Sequence, residues 1–271
     1  IYTKLIELHE LASKSFTNNF NTEEGKKILK YLTDRGLTIE TIKKFKLGYS
    51  LKKSNSLLTQ IRLMESTANV MRQSGLFIDT EKGYIDRFRN RIMFSIMDIS
   101  GKIIAFAGRV IDSENQAKYV NSPETILYNK SRILYGLHVS KNLIRKANAA
   151  IIVEGYLDFL QLFQAGFENC VAISGTAFTN QHALLIKRQC NTAFLAYDGD
   201  DAGKNAAIKA GYILLKNGID VKIIQIPSNM DPDDWIKKEG KKPFLDAMNK
   251  SKKLIQFHYD NFPGDLKNTS E

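Results

Sequence analysis

The stretch Ala193-Phe194-Leu195-Ala196-Tyr197-Asp198-Gly199-Asp200-Asp201-Ala202-Gly203 decides the fold. Its five apolar residues of strand type run straight into three carboxylates, and a helical pattern begins after Gly203. A strand is delivering acid to its carboxyl end. In an open parallel α/β sheet, ligands bind in the crevice beyond the carboxyl ends of the strands, so these side chains face a site.

Outward from that stretch the same rhythm repeats. Residues 149–153 read as a strand ended by Glu154-Gly155, with a helix over 156–165. Residues 170–173 read as a strand ended by Ser174-Gly175-Thr176, followed by a helix capped near Thr179 or Asn180. Residues 221–226 read as a strand that leads through Pro227 to Asp231-Pro232-Asp233-Asp234 and a helix to about residue 239. Strands alternating with helices predict a largely parallel sheet with right-handed crossovers. Residues 241–271 read as helical at first, fraying at Pro263-Gly264.

Three of the four strands thus end in carboxylates on one edge: Glu154, then Asp198 and Asp200, then Asp231, Asp233 and Asp234. Gly199 lets Asp198 and Asp200 aim at one point. Unpaired carboxylates so close raise one another's pKa unless a cation fills the space. Oxygen-only ligands suit Mg²⁺ or Mn²⁺. An Asp-x-Asp after a strand also serves as a helix cap or turn, but the acids at two other strand ends favour a metal site. Lys204 contacts phosphate or solvent with equal standing on this reading. His9, His138, His182 and His258 show no ligand spacing and read as structural, while Trp235, Phe159 and Phe163 read as core.

The first half of the chain has another texture. Helices are predicted over 1–20 and 24–32, from Thr38 as a cap with Ile39, Ile42 and Phe45 buried, and over 57–64. Two hairpins follow, 75–85 and 91–107, in a mixed or antiparallel sheet. Between them, Arg87, Arg89 and Arg91 fall at i, i+2 and i+4, which in an extended chain puts three guanidiniums on one side as a phosphate track. Residues 1–150 hold 25 basic and 14 acidic residues, against 14 and 15 in the rest, so this half attracts polyanions such as nucleic acid. Arg109, Lys118, Lys130 and Arg132 stand in or beside polar loops that composition alone does not rank. Cys170 and Cys190 form no CxxC pair and cannot complete a structural zinc site, which fits a reduced, cytosolic-type protein. No apolar run reaches the roughly 18 residues that span a membrane.

The residues now resemble a known family. Ile152-Val153-Glu154-Gly155-Tyr156-Leu157-Asp158, Ser174-Gly175-Thr176-Ala177, Asp198-Gly199-Asp200-Asp201-Ala202-Gly203 and Pro227-Ser228-Asn229-Met230-Asp231-Pro232-Asp233 resemble the Toprim domain in its bacterial primase form. Arg87-Phe88-Arg89-Asn90-Arg91-Ile92-Met93-Phe94, Gly108-Arg109-Val110, Lys118-Tyr119-Val120-Asn121-Ser122-Pro123-Glu124 and Leu134-Tyr135-Gly136-Leu137 resemble the basic motifs of DnaG-type primases. The resemblance covers about residues 20–240. It implies an α/β fold: a Toprim-like, largely parallel sheet flanked by helices, preceded by a mixed α+β basic subdomain and followed by a short helical segment. The expected boundaries are 1–146, 147–240 and 241–271.

Functionally, the resemblance implies RNA primer synthesis on single-stranded DNA from ribonucleoside triphosphates, with release of pyrophosphate. It assigns metal binding to Glu154, Asp198, Asp200, Asp231 and Asp233. Template or nucleotide contacts fall to Arg35, Arg87, Arg89, Arg109, Lys118 and Lys130, to which the residue reading adds Lys204 for phosphate and Arg91 for DNA. Glu154 either holds the metal or assists proton removal. Ser95 stands where the family often has proline, and Asp201 and Asp234 leave the ligand set open. Zinc is expected only in a domain absent from this chain, which starts like a fragment. Nascent RNA is an expected partner, as are a replicative helicase and a zinc-binding domain through regions missing here. No membrane is expected, and the setting is the bacterial cytoplasm at the replication fork. A Toprim nuclease or strand-breaker, and a non-catalytic nucleic-acid module, are the rival classes.

Overall fold

The computed structural model describes residues 1–62, 68–111 and 117–261, which divide between two compact units, Ile1–His138 and Val139–Glu271. The first unit is built on α1 (Tyr2–Asn18), whose Leu5, Leu8, Ala12 and Phe16 recur at helical spacing and are all buried. After it come α2 (Glu23–Asp34) and α3 (Ile39–Lys44), each capped by a threonine: Gly25 N donates to Thr22 Oγ1 and Thr41 N to Thr38 Oγ1. Ile42 and Phe45 are buried as expected, but Ile39 is 38% exposed, because the first residue of so short a helix turns off its buried face.

Strand β1 (Gly48–Ser50), α4 (Ser56–Arg62) and α5 (Ala68–Gln73) lead to the hairpin of β2 (Phe77–Thr80) and β3 (Gly83–Asp86). The expected end of the helix at 63–64 lies outside the described residues. Strands β4 (Arg91–Met97), β5 (Ile103–Val110) and β6 (Tyr119–Asn121) join β1 in a four-stranded antiparallel sheet ordered β1-β4-β5-β6. Phe106 on β5 anchors the core, edge-on to Phe16 at 5.3 Å and stacked on His9 at 5.7 Å. His9 is wholly buried and its Nδ1 lies 2.6 Å from Leu5 O, in keeping with a structural role. Ser95 is buried within β4, 3.1 Å from Ser13 Oγ, and donates to Lys46 O at 3.0 Å.

The second unit opens with the end of α6 (Leu137–Ala147) and then alternates β7 (Ala149–Val153), α7 (Tyr156–Gln164), β8 (Cys170–Ala172), α8 (Asn180–Lys187), β9 (Thr192–Leu195), α9 (Asp201–Lys216) and β10 (Asp220–Ile223). Thr179 is the cap of α8. Helices α10 (Pro232–Glu239) and α11 (Lys241–Asn249), the short strand β11 (Lys252–Lys253) and α12 (Leu254–Asp260) complete it. Pro263-Gly264 lies outside the described residues.

The sheet runs β11-β10-β9-β7-β8, parallel throughout except for β11. Strand β8 lies on one side of β7, and the chain then crosses to place β9 on the other. The strand order therefore reverses between β7 and β9, which opens a crevice at their carboxyl ends. Trp235, Phe159 and Phe163 are core, and both cysteines are buried free thiols. Among the described residues no helix is long and apolar enough to cross a membrane.

Candidate metal centre

The crevice between β7 and β9 is where the acids meet. Glu154 follows β7 and Asp198 follows β9, and the Asp198 amide donates to Glu154 Oε1 at 3.3 Å. Gly199 then donates its amide to Met230 O at 2.9 Å. A Cβ at Gly199 would lie 2.1 Å from the Pro227 carbonyl oxygen, so only glycine lets the 198–200 turn press against the 227–231 turn. Asp200 is both cap and cluster member, since its Oδ1 accepts from Gly203 N at 2.7 Å to start α9.

Asp231 caps α10 through Asp234 N at 2.7 Å, with Pro232 in the first turn where no amide is needed. One carboxylate oxygen from each of Asp231, Asp233 and Asp234 can lie within 4.8 Å of the others, which brings Asp234 into the group. Asp201 does not join it: its side chain is 94% exposed and pairs with Lys204 Nζ at 3.1 Å.

Asp158 was not among the expected site residues, yet it ties the cluster together. Its carboxylate is buried, Oδ2 accepting from Gly155 N at 2.9 Å and Oδ1 from Asp233 N at 3.2 Å. One side chain thus braces the turn after Glu154 to the turn that carries Asp233. The signal was legible: an acid three residues after Gly155, at the start of a helix, is an N-terminal capping pattern.

Electrostatics mark the same place. Burial, then the Asp198 carboxylate, push the Glu154 carboxyl up to about 7, partly offset by the Asp198 amide. Burial and the charges of Asp231, Asp198 and Asp233 hold the Asp158 carboxyl well above the usual range. A cation relieves this mutual repulsion, and the donors on offer are oxygen only, so the residues fit a hard divalent ion.

The basic residues expected at the site distribute unevenly. Lys204 stands in the first turn of α9 and lines a small cavity with Asp198, Gly199 and Tyr197. Within the first unit, the Arg109 guanidinium lies over the Tyr119 ring, 5.8 Å from its centroid, and Lys118 is exposed just before β6. Lys130 opens a short 3-10 turn whose start is fixed by Glu124 Oε1 accepting from Lys130 N at 2.9 Å. Arg35 closes α2 and is half-buried.

The arginine run departs from expectation. Strand β3 ends at Asp86, and Asn90 adopts φ 51°, so residues 87–91 are not one extended strand and the alternation is lost. Arg91 is 7% exposed and spends its guanidinium on Gly108 O at 3.2 Å and Ala117 O at 3.0 Å. Arg89 donates to the carbonyl of Asp86, whose own carboxylate caps α4 through Leu57 N and Leu58 N. Arg87 is half-buried, and its Nε has no hydrogen-bond partner among the described residues. The three guanidiniums therefore do not form one row.

Known proteins place this architecture. The family model for the DNA primase catalytic core, N-terminal domain, matches residues 15–141, and a Toprim-like model matches 151–236. The DNA primase of Listeria monocytogenes is 36% identical over 274 residues, covering 99% of this chain and 44% of its own length, so the chain spans less than half of that relative. The E. coli primase catalytic core superposes with a TM-score of 0.87 at 31% identity, covering 98% of this chain and 86% of the other. A DnaG primase catalytic domain bound to single-stranded DNA gives 0.89 at 31% identity, covering 99% and 86%. The basic first half, the Toprim-like sheet and these likenesses agree: the chain belongs to the family of DnaG-type DNA primases, whose catalytic core it matches.

Proposed function

We propose that this chain is the polymerising core of a DNA primase, which builds short RNA on single-stranded DNA from ribonucleoside triphosphates and releases pyrophosphate. The observation that carries the reading is the convergence of Glu154, Asp198 and the Asp231–Asp234 turn at the switch point of a parallel sheet. The related catalytic domain bound to single-stranded DNA supports the choice of template.

Glu154, Asp198, Asp200, Asp231 and Asp233 would hold a divalent cation, Mg²⁺ or Mn²⁺, with Asp234 beside them. When bound, the cation neutralises charge on the triphosphate and lowers the pKa of the attacking 3′-hydroxyl. The chain's own side chains do the positioning. Lys204, Arg109, Lys118 and Lys130 donate charge-assisted hydrogen bonds to triphosphate oxygens. Arg35, Arg87 and Arg89 neutralise template phosphates, while Arg91 fixes the backbone that presents them. Glu154 would hold the cation as its carboxylate. In the whole protein the nascent RNA, a zinc-binding domain and a replicative helicase are the further partners, at the bacterial replication fork.

The test is incubation with single-stranded DNA, labelled ribonucleotides and Mg²⁺ or Mn²⁺. Short RNA is the expected product. Cleaved DNA without RNA would replace the reading with a Toprim nuclease, and neither product would leave only a binding module.

A further inference from the structure

The first unit contains a cavity of about 350 Å³ whose lining includes none of the residues placed above in metal or triphosphate binding. It is within the size range of small-ligand sites, about 300–1,000 Å³. Its walls combine aromatic and apolar surface, from Tyr31 and Tyr49 with Ile28 and Ile111, with the ammonium groups of Lys27 and Lys52. One carboxylate, Glu24, also lines it, leaving the lining net positive.

Two details separate this cavity from a hydrated hollow. On α2, Lys26 pairs with Glu23 and Lys30 with Asp34, both at 2.7 Å, whereas Lys27, which lines the cavity, makes no ion pair among the described residues. Lys52 is likewise without one. The second detail is a preset donor. The buried Tyr49 hydroxyl donates to Asn90 Oδ1 at 2.8 Å, with Glu24 Oε2 farther away at 3.4 Å. That bond fixes which end of the Asn90 amide is occupied, and its NH₂ is left as a donor at the cavity wall. Asn90 belongs to the 87–91 run, so the cavity is continuous in sequence with Arg87 and Arg89.

With Tyr49 buried, the accessible ring is Tyr31; that ring, two ammoniums without an ion pair among the described residues and an oriented amide are the chemistry that recognises an unpaired nucleotide: a π-face for the base, cations for phosphate and a donor for a base carbonyl. We propose that this cavity seats one unpaired base of the single-stranded DNA template, with the adjoining phosphates on Lys27 and Lys52. The inference rests on the reading of this unit as the template-holding half and adds a base pocket to it.

Fluorescence anisotropy with a short oligothymidylate, its base-free sugar–phosphate counterpart and a free ribonucleoside triphosphate tests it. Lys27→Ala with Lys52→Ala should weaken oligothymidylate binding about tenfold and make the salt slope shallower by about 1.4, as for two single-strand phosphates. Asn90→Gly, which tolerates the positive φ, should weaken oligothymidylate several-fold while leaving the slope and the base-free strand unchanged. None of these variants should alter triphosphate binding. Wild-type affinity for oligothymidylate in both variants, alongside loss in Arg87→Ala, would overturn the pocket and leave the template reading standing. Weakened triphosphate binding with unchanged oligothymidylate would overturn it in favour of a free nucleotide. Failure of the unaltered chain to bind single strands at all would overturn both readings together.

Discussion

Gly199→Ala is the substitution that the geometry of the acidic crevice makes most costly for its size. The added Cβ would stand 2.1 Å from Pro227 O, 2.8 Å from Pro227 C and 3.0 Å from Ile226 O. All three are backbone atoms, so no rotamer change relieves the clash. Ordinary contact requires the 198–200 and 227–231 turns to part by more than about 1 Å. That separation breaks the Gly199 N to Met230 O hydrogen bond, now 2.9 Å long. Overpacking costs about 1–3 kcal/mol and a lost buried hydrogen bond about 1–3 kcal/mol more, so a loss of about 2–6 kcal/mol is expected. Function should suffer further, because misplacing reacting groups by about 1 Å can cost on the order of 10²-fold in rate. Urea unfolding measures the first quantity, and primer synthesis with a Mn²⁺ titration measures the second. A Gly199→Ala chain with the unaltered unfolding midpoint and Mn²⁺ affinity would refute the claim that this close approach sets the site.

Three further outcomes follow from the same geometry. Glu154 carries a carboxyl raised from 4.5 to about 7, so between those values the folded chain keeps a proton that the unfolded chain has lost. Without cation, this group's contribution to stability therefore falls as pH rises through that window, whereas Mn²⁺ binding tightens from about pH 5 toward pH 7 and then levels; calorimetry showing pH-independent affinity contradicts this. Arg91→Met, which strips the bonds to Gly108 O and Ala117 O, should cost about 2–4 kcal/mol in urea unfolding and leave the salt slope of single-strand binding unchanged, while Arg87→Ala or Arg89→Ala makes it shallower. A shallower slope for Arg91→Met would return it to the phosphate track. Asp158→Ala removes the acceptor of two amides and should lower both stability, by about 2–4 kcal/mol, and Mn²⁺ affinity. Asp158→Asn keeps one acceptor and should fall between, and parity of both variants with the unaltered chain would remove the brace.

Much of the second unit was legible because its signals are local. Apolar runs such as 149–153 end abruptly in acid or glycine, and Thr179, Asp200 and Asp231 announce the helices that follow. The acids at the strand ends needed only the parallel topology to be brought together. What escaped depends on contacts distant in sequence. Strands β1 and β6 are three residues each, too short for a periodicity, and exist through pairing with β4 and β5. The left-handed Asn90 breaks the arginine alternation, and a single asparagine does not advertise that conformation. The need for glycine at 199 was anticipated as freedom to turn, but the structure gives a different reason, the Pro227 carbonyl packed against it. Asp158 is one of three polar side chains on α7, and only the fold shows that its second oxygen reaches Asp233 N.

The most direct test of the central claim compares Asp198→Asn with the unaltered chain in one preparation, reading Mn²⁺ binding, primer synthesis and single-strand affinity together. The account predicts that Mn²⁺ binding weakens sharply and RNA synthesis is abolished, while the dissociation constant for single-stranded DNA stays within about twofold. Normal dinucleotide production by Asp198→Asn would contradict it.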